Sequence, residues 1–291
     1  MIPDEWAPSE ATKDRLFGLA SKGVLLTITI WALFPIYWMV FNSFRTRFEI
    51  VGGDPSFTET SLHYQNYIDM WSRVDLLEYF VNSLVIASTT TGIALFIACL
   101  GGYAFSRYRF PGRQYVGASL IGTQLIPGIL ILLPMFMLFR TIHDTVGIQL
   151  IHTYQGIIFV YTTFAVPFAI WMLRGFFDTI PRSLEEAARV DGCTRFQALF
   201  RVVLPLAAPG IAATGMFVFL VAFNEVLFAS VMARGDVTPL SIGIQQFMER
   251  DQNHWGEMMA ASTVATLPIL LIFVLFQKPI VKGLTEGGVK Q

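Results

Sequence analysis

One polar segment of this sequence, residues 178–205, has residue types and spacings typical of specific recognition. Ser183 is followed three positions later by Glu186, and Thr194 by Gln197. In each pair the two side chains can satisfy backbone N–H groups of a first helical turn, which is the pattern of a capping box. The segment is therefore predicted to form two short helices in a helix-turn-helix.

The first of these helices would carry a face of small side chains bordered by charge. Ala187 and Ala188 add almost no side-chain volume, so another surface can approach the backbone closely, and Glu186 and Asp191 border them. Gly192 is expected to end the helix in the left-handed conformation. A short helix with such a face is suited to docking into a groove of another protein. The alternative is a loop that folds back onto its own chain.

A second candidate site is an amide and an acid at the end of an apolar stretch. Asn224 and Glu225 follow a long uncharged run, and an ionisable group close to hydrocarbon is costly and usually marks function. The pair could line a water-accessible vestibule. A network at the end of a helix, or exposure at the membrane interface, is the alternative interpretation.

The composition excludes several classes of protein. Of the 291 residues 54% are hydrophobic and 14% are charged, against roughly 25% charged in soluble domains, and the mean hydropathy is +0.57. A soluble enzyme and a nucleic-acid-binding protein are therefore excluded. The four His residues fit no metal spacing and no phosphate-binding Gly-rich loop is present, so we expect no metal site, no catalytic residue and no ATP hydrolysis in this chain.

The few charged residues are separated by six long uncharged stretches. A helix needs about 20 mostly apolar residues to cross a bilayer. The fold class is therefore predicted to be all-α, a polytopic membrane protein with six transmembrane helices and the helix-turn-helix between spans 4 and 5. The predicted spans are about 23–44, 80–106, 114–139, 154–173, 206–228 and 258–278.

The Lys and Arg residues predict the orientation, because positively charged segments stay on the cytoplasmic side. Residues 107–113 hold three Arg and no acid, whereas residues 45–78 hold three Arg and six acids and are expected outside. Both termini are then cytoplasmic. Residues 1–22 would form a cytoplasmic N-terminal segment, 23–280 the membrane domain and 281–291 a cytoplasmic C-terminal tail.

The polar segment also carries a long pattern with fixed gaps. Glu186-Ala187-Ala188, three residues, Gly192, nine residues, Val202, one residue and Leu204-Pro205 resembles the signature of inner-membrane permease subunits of ABC importers, with Val202 in place of the usual Ile. Further similarity is to the carbohydrate branch of that family, the maltose-type and oligosaccharide or glycerol-phosphate permeases. It covers segments 103–113, 167–177 and 283–290.

The resemblance implies partners and residue roles. In such importers the helix pair docks into a cleft of a cytoplasmic ATPase subunit, so Glu186, Ala187, Ala188, Asp191 and Gly192 would be the coupling contacts. The tail resembles a segment that reaches the ATPase dimer. Its residues are Gly283, Leu284, Thr285, Gly287 and Gly288. Asn224 and Glu225 would hydrogen-bond sugar hydroxyls.

The resemblance also implies a complete importer in the cell (inner or plasma) membrane. It would contain a second homologous permease subunit, two ATP-binding cassette ATPases that use ATP and Mg²⁺, and an external solute-binding protein that delivers a carbohydrate. The alternatives are a secondary transporter or channel driven by an ion gradient, and a permease of the same superfamily for peptides or polyols. The mid-span regions contain no Asp, Glu, Lys, Arg or His, which counts against ion-driven transport.

Overall fold

The computed structural model describes residues 10–52, 61–248 and 253–288. Its helices, in chain order, are α1 (Glu10–Ser43), α2 (Arg47–Val51), α3 (Asn66–Arg73), α4 (Leu76–Arg107), α5 (Arg113–Thr123), α6 (Gly128–Val146), α7 (Tyr154–Thr179), α8 (Arg182–Val190), α9 (Arg195–Ala198), α10 (Leu204–Leu206), α11 (Ala208–Phe223), α12 (Leu227–Met232), α13 (Leu240–Gly243) and α14 (Trp255–Gly288). A π-helical turn, Leu199–Val203, joins α9 to α10, and 3-10 turns cover Gly235–Val237 and Ile244–Phe247.

Within the described residues, five helical stretches are long and apolar enough to cross a membrane. They are Phe17–Ser43, Leu76–Arg107, Gly128–Val146, Tyr154–Thr179 and Trp255–Leu275. The helices Arg195–Leu206 and Ala208–Phe223 pass the same test together and meet at an angle of 77°. The number of candidate spans is therefore five, or six if this bent pair forms one span.

The segment 114–139, predicted as one span, is divided in the structure. Helix α5 ends at Thr123 and α6 begins at Gly128. Pro127 precedes α6 and has no backbone N–H, and its ring disfavours the helical conformation at the residue before it. The apolar stretch of membrane-spanning length is α6, which continues past Arg140 to Val146.

Two other helix ends differ from the predicted segment boundaries. The helix in segment 206–228 ends at Phe223, and a separate short helix, α12, begins at Leu227. Helix α14 continues without a break beyond residue 280 to Gly288. One of these helices thus ends inside its uncharged stretch and the other continues past it, so charge gaps alone do not set the helix ends.

The chain divides into two compact units. The first comprises the described residues up to Met70 together with the described part of Met248–Thr263. In it the buried Asn66 side chain donates to the backbone oxygens of Ser43 and Arg45, each at 2.9 Å. These bonds satisfy carbonyls at the C-terminal end of α1, where a helix leaves its last carbonyl groups without intrahelical partners.

The second unit comprises Trp71–Phe247 and Val264 onwards, and its core is the pair α4 and α7 with α11 packed on both. Small residues let the first two helices approach. Ala94 and Ala98 of α4 are fully buried, and a Cβ built on Gly102 would lie 3.1 Å from Arg174 N and 3.2 Å from Ile170 O. Close backbone contact at small residues is the usual means of packing helices in membranes.

Replacing Gly102 by Leu should therefore destabilise the second unit. The added side chain would meet backbone atoms of α7, which cannot rotate away, and we expect a loss of about 1–3 kcal/mol. The control is Gly92→Leu in the same helix, because nothing lies within 4 Å of a Cβ there. Thermal unfolding of the detergent-solubilised protein measures both variants. Equal melting temperatures for the two would contradict the proposed close approach.

Candidate functional site

The structure contains the predicted turn between the two short helices. Gly192, just beyond α8, has φ +91°. Its N–H donates to Arg189 O at 3.1 Å, and the N–H of Cys193 donates to Ala188 O at 3.0 Å. These two bonds form a Schellman motif, in which a left-handed residue satisfies the last helical carbonyls. The prediction for Gly192 is confirmed.

The two predicted capping boxes have different outcomes. The second is present: Thr194 Oγ1 accepts from Gln197 N at 3.2 Å, and Gln197 Oε1 accepts from Thr194 N at 2.8 Å. The first is wrong, because α8 begins at Arg182 and its N-cap is Pro181, with no side-chain cap bond. Pro181 holds an extended backbone conformation, so the helix starts early and Ser183 already lies inside it.

Most of the predicted docking face of α8 is exposed. Glu186, Ala187, Asp191 and Gly192 are exposed, and Ala188 is half-buried. These residues therefore lie together at the C-terminal half of α8 and in the turn that follows it. The arrangement leaves the small-residue face open to another surface.

Large apolar side chains are also uncovered around this face. Val190 is 87% exposed and Phe196 64% exposed. The ring of Phe196 stacks on that of Phe200 with centroids 5.3 Å apart. Their neighbours Leu199 and Val203 are buried in the core instead. The helix-turn-helix therefore presents an apolar as well as a charged surface.

The opposite side of α8 is held by Glu185, which sequence reasoning missed. Its carboxylate accepts from Arg107 Nε at 3.0 Å and from the Tyr103 hydroxyl. The side chains of Arg107 and Glu185 are only 7% and 13% exposed. The sequence signal was weak: Glu185 lies one turn before the half-buried Ala188, and Arg107 lies at the predicted end of span 2.

Further hydrogen bonds extend this contact at the ends of α4 and α7. Arg107 also donates to Ile180 O at 3.0 Å, Ser106 Oγ donates to Asp178 Oδ1 at 2.6 Å, and Arg182 donates to Ser106 O at 3.0 Å. We call this set the polar joint. Its members are Tyr103, Ser106, Arg107, Asp178, Arg182 and Glu185. It fastens α8 to the ends of both core helices.

The second candidate pair, Asn224 and Glu225, lies at a helix end, which is one of the two interpretations given above. The Glu225 carboxylate accepts from the backbone N–H groups of Phe228 and Ala229 at 3.0 and 3.1 Å, so it caps α12. The Asn224 side chain donates to Leu220 O of its own helix at 2.8 Å. Both side chains therefore support local structure.

Glu225 also lines a cavity of about 280 Å³ between α7 and α11. Aromatic rings form much of its wall, including Phe164, Phe168 and Phe217, and the side chain of Gln124 adds a polar group. The rings of Phe168 and Phe217 lie 4.4 Å apart. Asn224 is not part of the wall, so the structure brings only one member of the predicted pair to this cavity.

The predicted C-terminal contact residues lie in the last turns of α14. Gly283, Leu284, Thr285, Gly287 and Gly288 all have helical backbone. Residues 289–291 lie outside the described part of the chain. The tail is therefore a helix up to Gly288.

Comparisons with known proteins agree with this architecture. Residues 91–286 match the family described as binding-protein-dependent transport system inner membrane component. The chain is 34% identical to the inner membrane ABC transporter permease protein YcjP of Escherichia coli strain K12, over 98% of this chain and 99% of that protein. It is also 34% identical to the trehalose/maltose transport system permease protein MalG of Thermococcus litoralis, over 92% and 97% of the two chains.

A solved structure has the same fold. It is a bacterial ABC transporter involved in the import of the acidic polysaccharide alginate, with a TM-score of 0.77, 22% identity, and coverage of 94% of this chain and 99% of that one. The family match and the sequence identities place the chain in one family. This protein belongs to the inner membrane components of binding-protein-dependent transport systems.

Proposed function

We propose that this chain is one permease subunit of an ATP-driven importer and forms half of the translocation pathway for a sugar or oligosaccharide. Family membership supports the permease role. Several relatives are named for sugar transport, among them the trehalose/maltose permease of Thermococcus litoralis and a diacetylchitobiose uptake permease of Streptomyces coelicolor, which is 33% identical. Alternating access would be driven by the ATPase subunits.

The observation that carries this proposal is the two-sided environment of α8. Its outer face exposes Glu186 and Ala187, and its inner side is fastened through the buried Glu185 to Arg107. A surface that is open to a partner and rigidly connected to core helices can pass a movement of the partner on to those helices. We infer that Glu186 pairs with a basic residue of an ATPase subunit and that Gly192 sets the shape of the turn.

The arrangement requires several partners. They are a second homologous permease subunit, two ATP-binding cassette ATPases, which bind ATP and Mg²⁺, and an external solute-binding protein. ATP hydrolysis is assigned to the ATPases, and this chain is assigned no catalytic step. The helical end of α14, from Gly283 to Gly288, is assigned to contact the ATPases.

The orientation follows from the basic residues near α8. Arg107 ends α4, and Arg174 and Arg182 lie at the end of α7 and the start of α8, so several Arg residues cluster at this end of the unit. Positively charged segments stay in the cytoplasm. We therefore place α8 and both termini on the cytoplasmic side of the inner, or plasma, membrane.

The cavity beside Glu225 is the best candidate for a contact with substrate. Its aromatic walls offer flat apolar surfaces for the C–H faces of a sugar ring. The Glu225 carboxylate and the Gln124 amide offer polar partners for hydroxyl groups. A pocket with mostly apolar walls and a few convergent polar groups is the usual form of a small-molecule site.

Transport assays test the proposed function directly. Uptake of labelled maltose-type sugars into cells or proteoliposomes containing the complete importer should depend on ATP and on the external binding protein. Labelled peptides and polyols are the comparison substrates. Uptake that follows an ion gradient and needs no ATP would contradict the importer, and uptake restricted to peptides or polyols would contradict the sugar class.

Glu186→Ala should uncouple ATP hydrolysis from transport. Losing one partner of a buried charge pair at an interface costs about 2–5 kcal/mol, so we expect at least about a tenfold fall in ATP-driven uptake. The matched control is Asp144→Ala, which removes an exposed carboxylate near the end of α6. The proposal fails if the purified importer contains no ATPase subunit or if Glu186→Ala transports at the wild-type rate.

The neighbouring substitution Glu185→Ala should act on stability. It leaves the Arg107 guanidinium buried without its carboxylate, which typically costs about 3–5 kcal/mol. We expect a lower melting temperature for this variant and an unchanged one for Glu186→Ala, because Glu186 is exposed. Thermal unfolding of the two single variants makes the comparison. The same melting temperature for both variants would contradict the assignment of Glu185 to the packed side of α8 and of Glu186 to the exposed side.

A further inference from the structure

A larger cavity lies close to the polar joint, between the end of α4, the start of α5 and the end of α7. Its volume is about 580 Å³. One part of the wall is basic, formed by Arg113 of α5 and Arg174 of α7, and another is apolar, with Phe105 and Ile170. The coupling role described above uses neither of these two arginines.

The basic part of the wall is suited to an anion. Its lining contains two arginines and no acidic side chain. Arg174 Nε lies 3.5 Å from Asp178 Oδ2, and both side chains of this pair are more than a third exposed. A guanidinium has five N–H donors, so this contact leaves most of the donors of Arg174 available.

The start of α5 adds to the positive potential. Gly112, with φ +80°, precedes the helix without a side-chain cap bond, and Gln114 and Tyr115 of the first turn also line the cavity. First-turn N–H groups have no intrahelical acceptor and favour negative charge. The helix end therefore reinforces the two guanidinium groups, which themselves define the site.

The apolar part of the wall distinguishes a lipid from a small inorganic ion. Phe105 and Ile170 are buried core residues that form the inner side of the cavity. Trp171 and Tyr115, which also line the cavity, are 54% and 73% exposed, and such aromatic side chains concentrate at membrane–water interfaces. A phosphate with an attached acyl chain would contact both parts of the wall, whereas a free ion would contact only one.

We propose that this cavity binds an anionic phospholipid, with its headgroup phosphate held by Arg113 and Arg174 and the start of its acyl chain against Phe105 and Ile170. Basic pockets between membrane helices are a known means of recognising acidic headgroups. The lipid would join α5 to α7 beside the polar joint. The site depends on the chain's position in a membrane and not on the identity of the transported solute.

Native mass spectrometry tests this proposal on the full chain, purified in detergent with its accompanying subunits. Phosphatidylglycerol is the probe, and phosphatidylcholine is the comparison lipid. The wild type should retain phosphatidylglycerol preferentially, and Arg113→Gln should weaken this retention about tenfold, as expected for the loss of a charge-assisted hydrogen bond. Arg109→Gln is the control, because Arg109 is exposed in the same connection and does not line the cavity.

A second measurement on the wild type keeps the test independent of variant folding. Added phosphatidylglycerol should raise the melting temperature, since a ligand that binds only the folded state stabilises it, and millimolar inorganic phosphate should neither do so nor displace the lipid. Displacement by phosphate would mean a free-anion site and would overturn the proposal. It is equally overturned by equal retention of the two lipids, by no retention, or by wild-type retention in Arg113→Gln.

Discussion

The buried ion pair between Arg107 and Glu185 is the contact on which the arrangement of α8 depends. Removing two charges from water costs several kcal/mol for each ion, and the mutual attraction offsets this only if further hydrogen bonds complete the geometry. Here Tyr103 donates to the same carboxylate, and the carbonyl of Ile180 accepts from the guanidinium. These partners belong to α4, to the segment after α7 and to α8. The loss of hydration of the two charges is therefore compensated only when all three elements are in place.

This constraint gives consecutive residues of α8 opposite environments. With 3.6 residues per turn, neighbours on a helix lie about 100° apart, so a helix fastened through Glu185 turns Glu186 towards solvent. The Schellman motif at Gly192 then ends the helix and redirects the chain to the buried Leu199. A force on the exposed face would reach α4 through the ion pair and the core through the second short helix. The exposed face of α8 therefore has two separate connections to the helices of the second unit.

What the sequence could predict follows from the range of each interaction. The left-handed Gly192 and the Thr194–Gln197 capping box are contacts within a few residues, and both were predicted correctly. The all-helical membrane class follows from the uncharged stretches alone. The partnership of Arg107 with Glu185 joins residues 78 positions apart, and no local pattern signals which of two adjacent glutamates is buried.

Two of the predictions that differ from the structure involve proline. Pro181 and Ser183 could each precede the first residue of a helix. The helix begins directly after Pro181, two residues before Ser183, because the proline ring fixes φ at a value that suits the start of a helix. Pro127 divides a segment whose length and polarity alone suit one helix. In both cases the backbone constraint of proline overrides the side-chain pattern, because it applies whatever surrounds the residue.

The two interpretations of Glu225 are compatible with each other on physical grounds. Its two carboxylate oxygens accept from backbone N–H groups of α12, which holds the side chain in one orientation at the cavity wall. Each carboxylate oxygen has a second lone-pair direction, so the same group can accept from a hydroxyl in the cavity. A carboxylate fixed by a helix end loses little conformational entropy when a solute binds. The capping role therefore prepares Glu225 for the role proposed for it in the pathway.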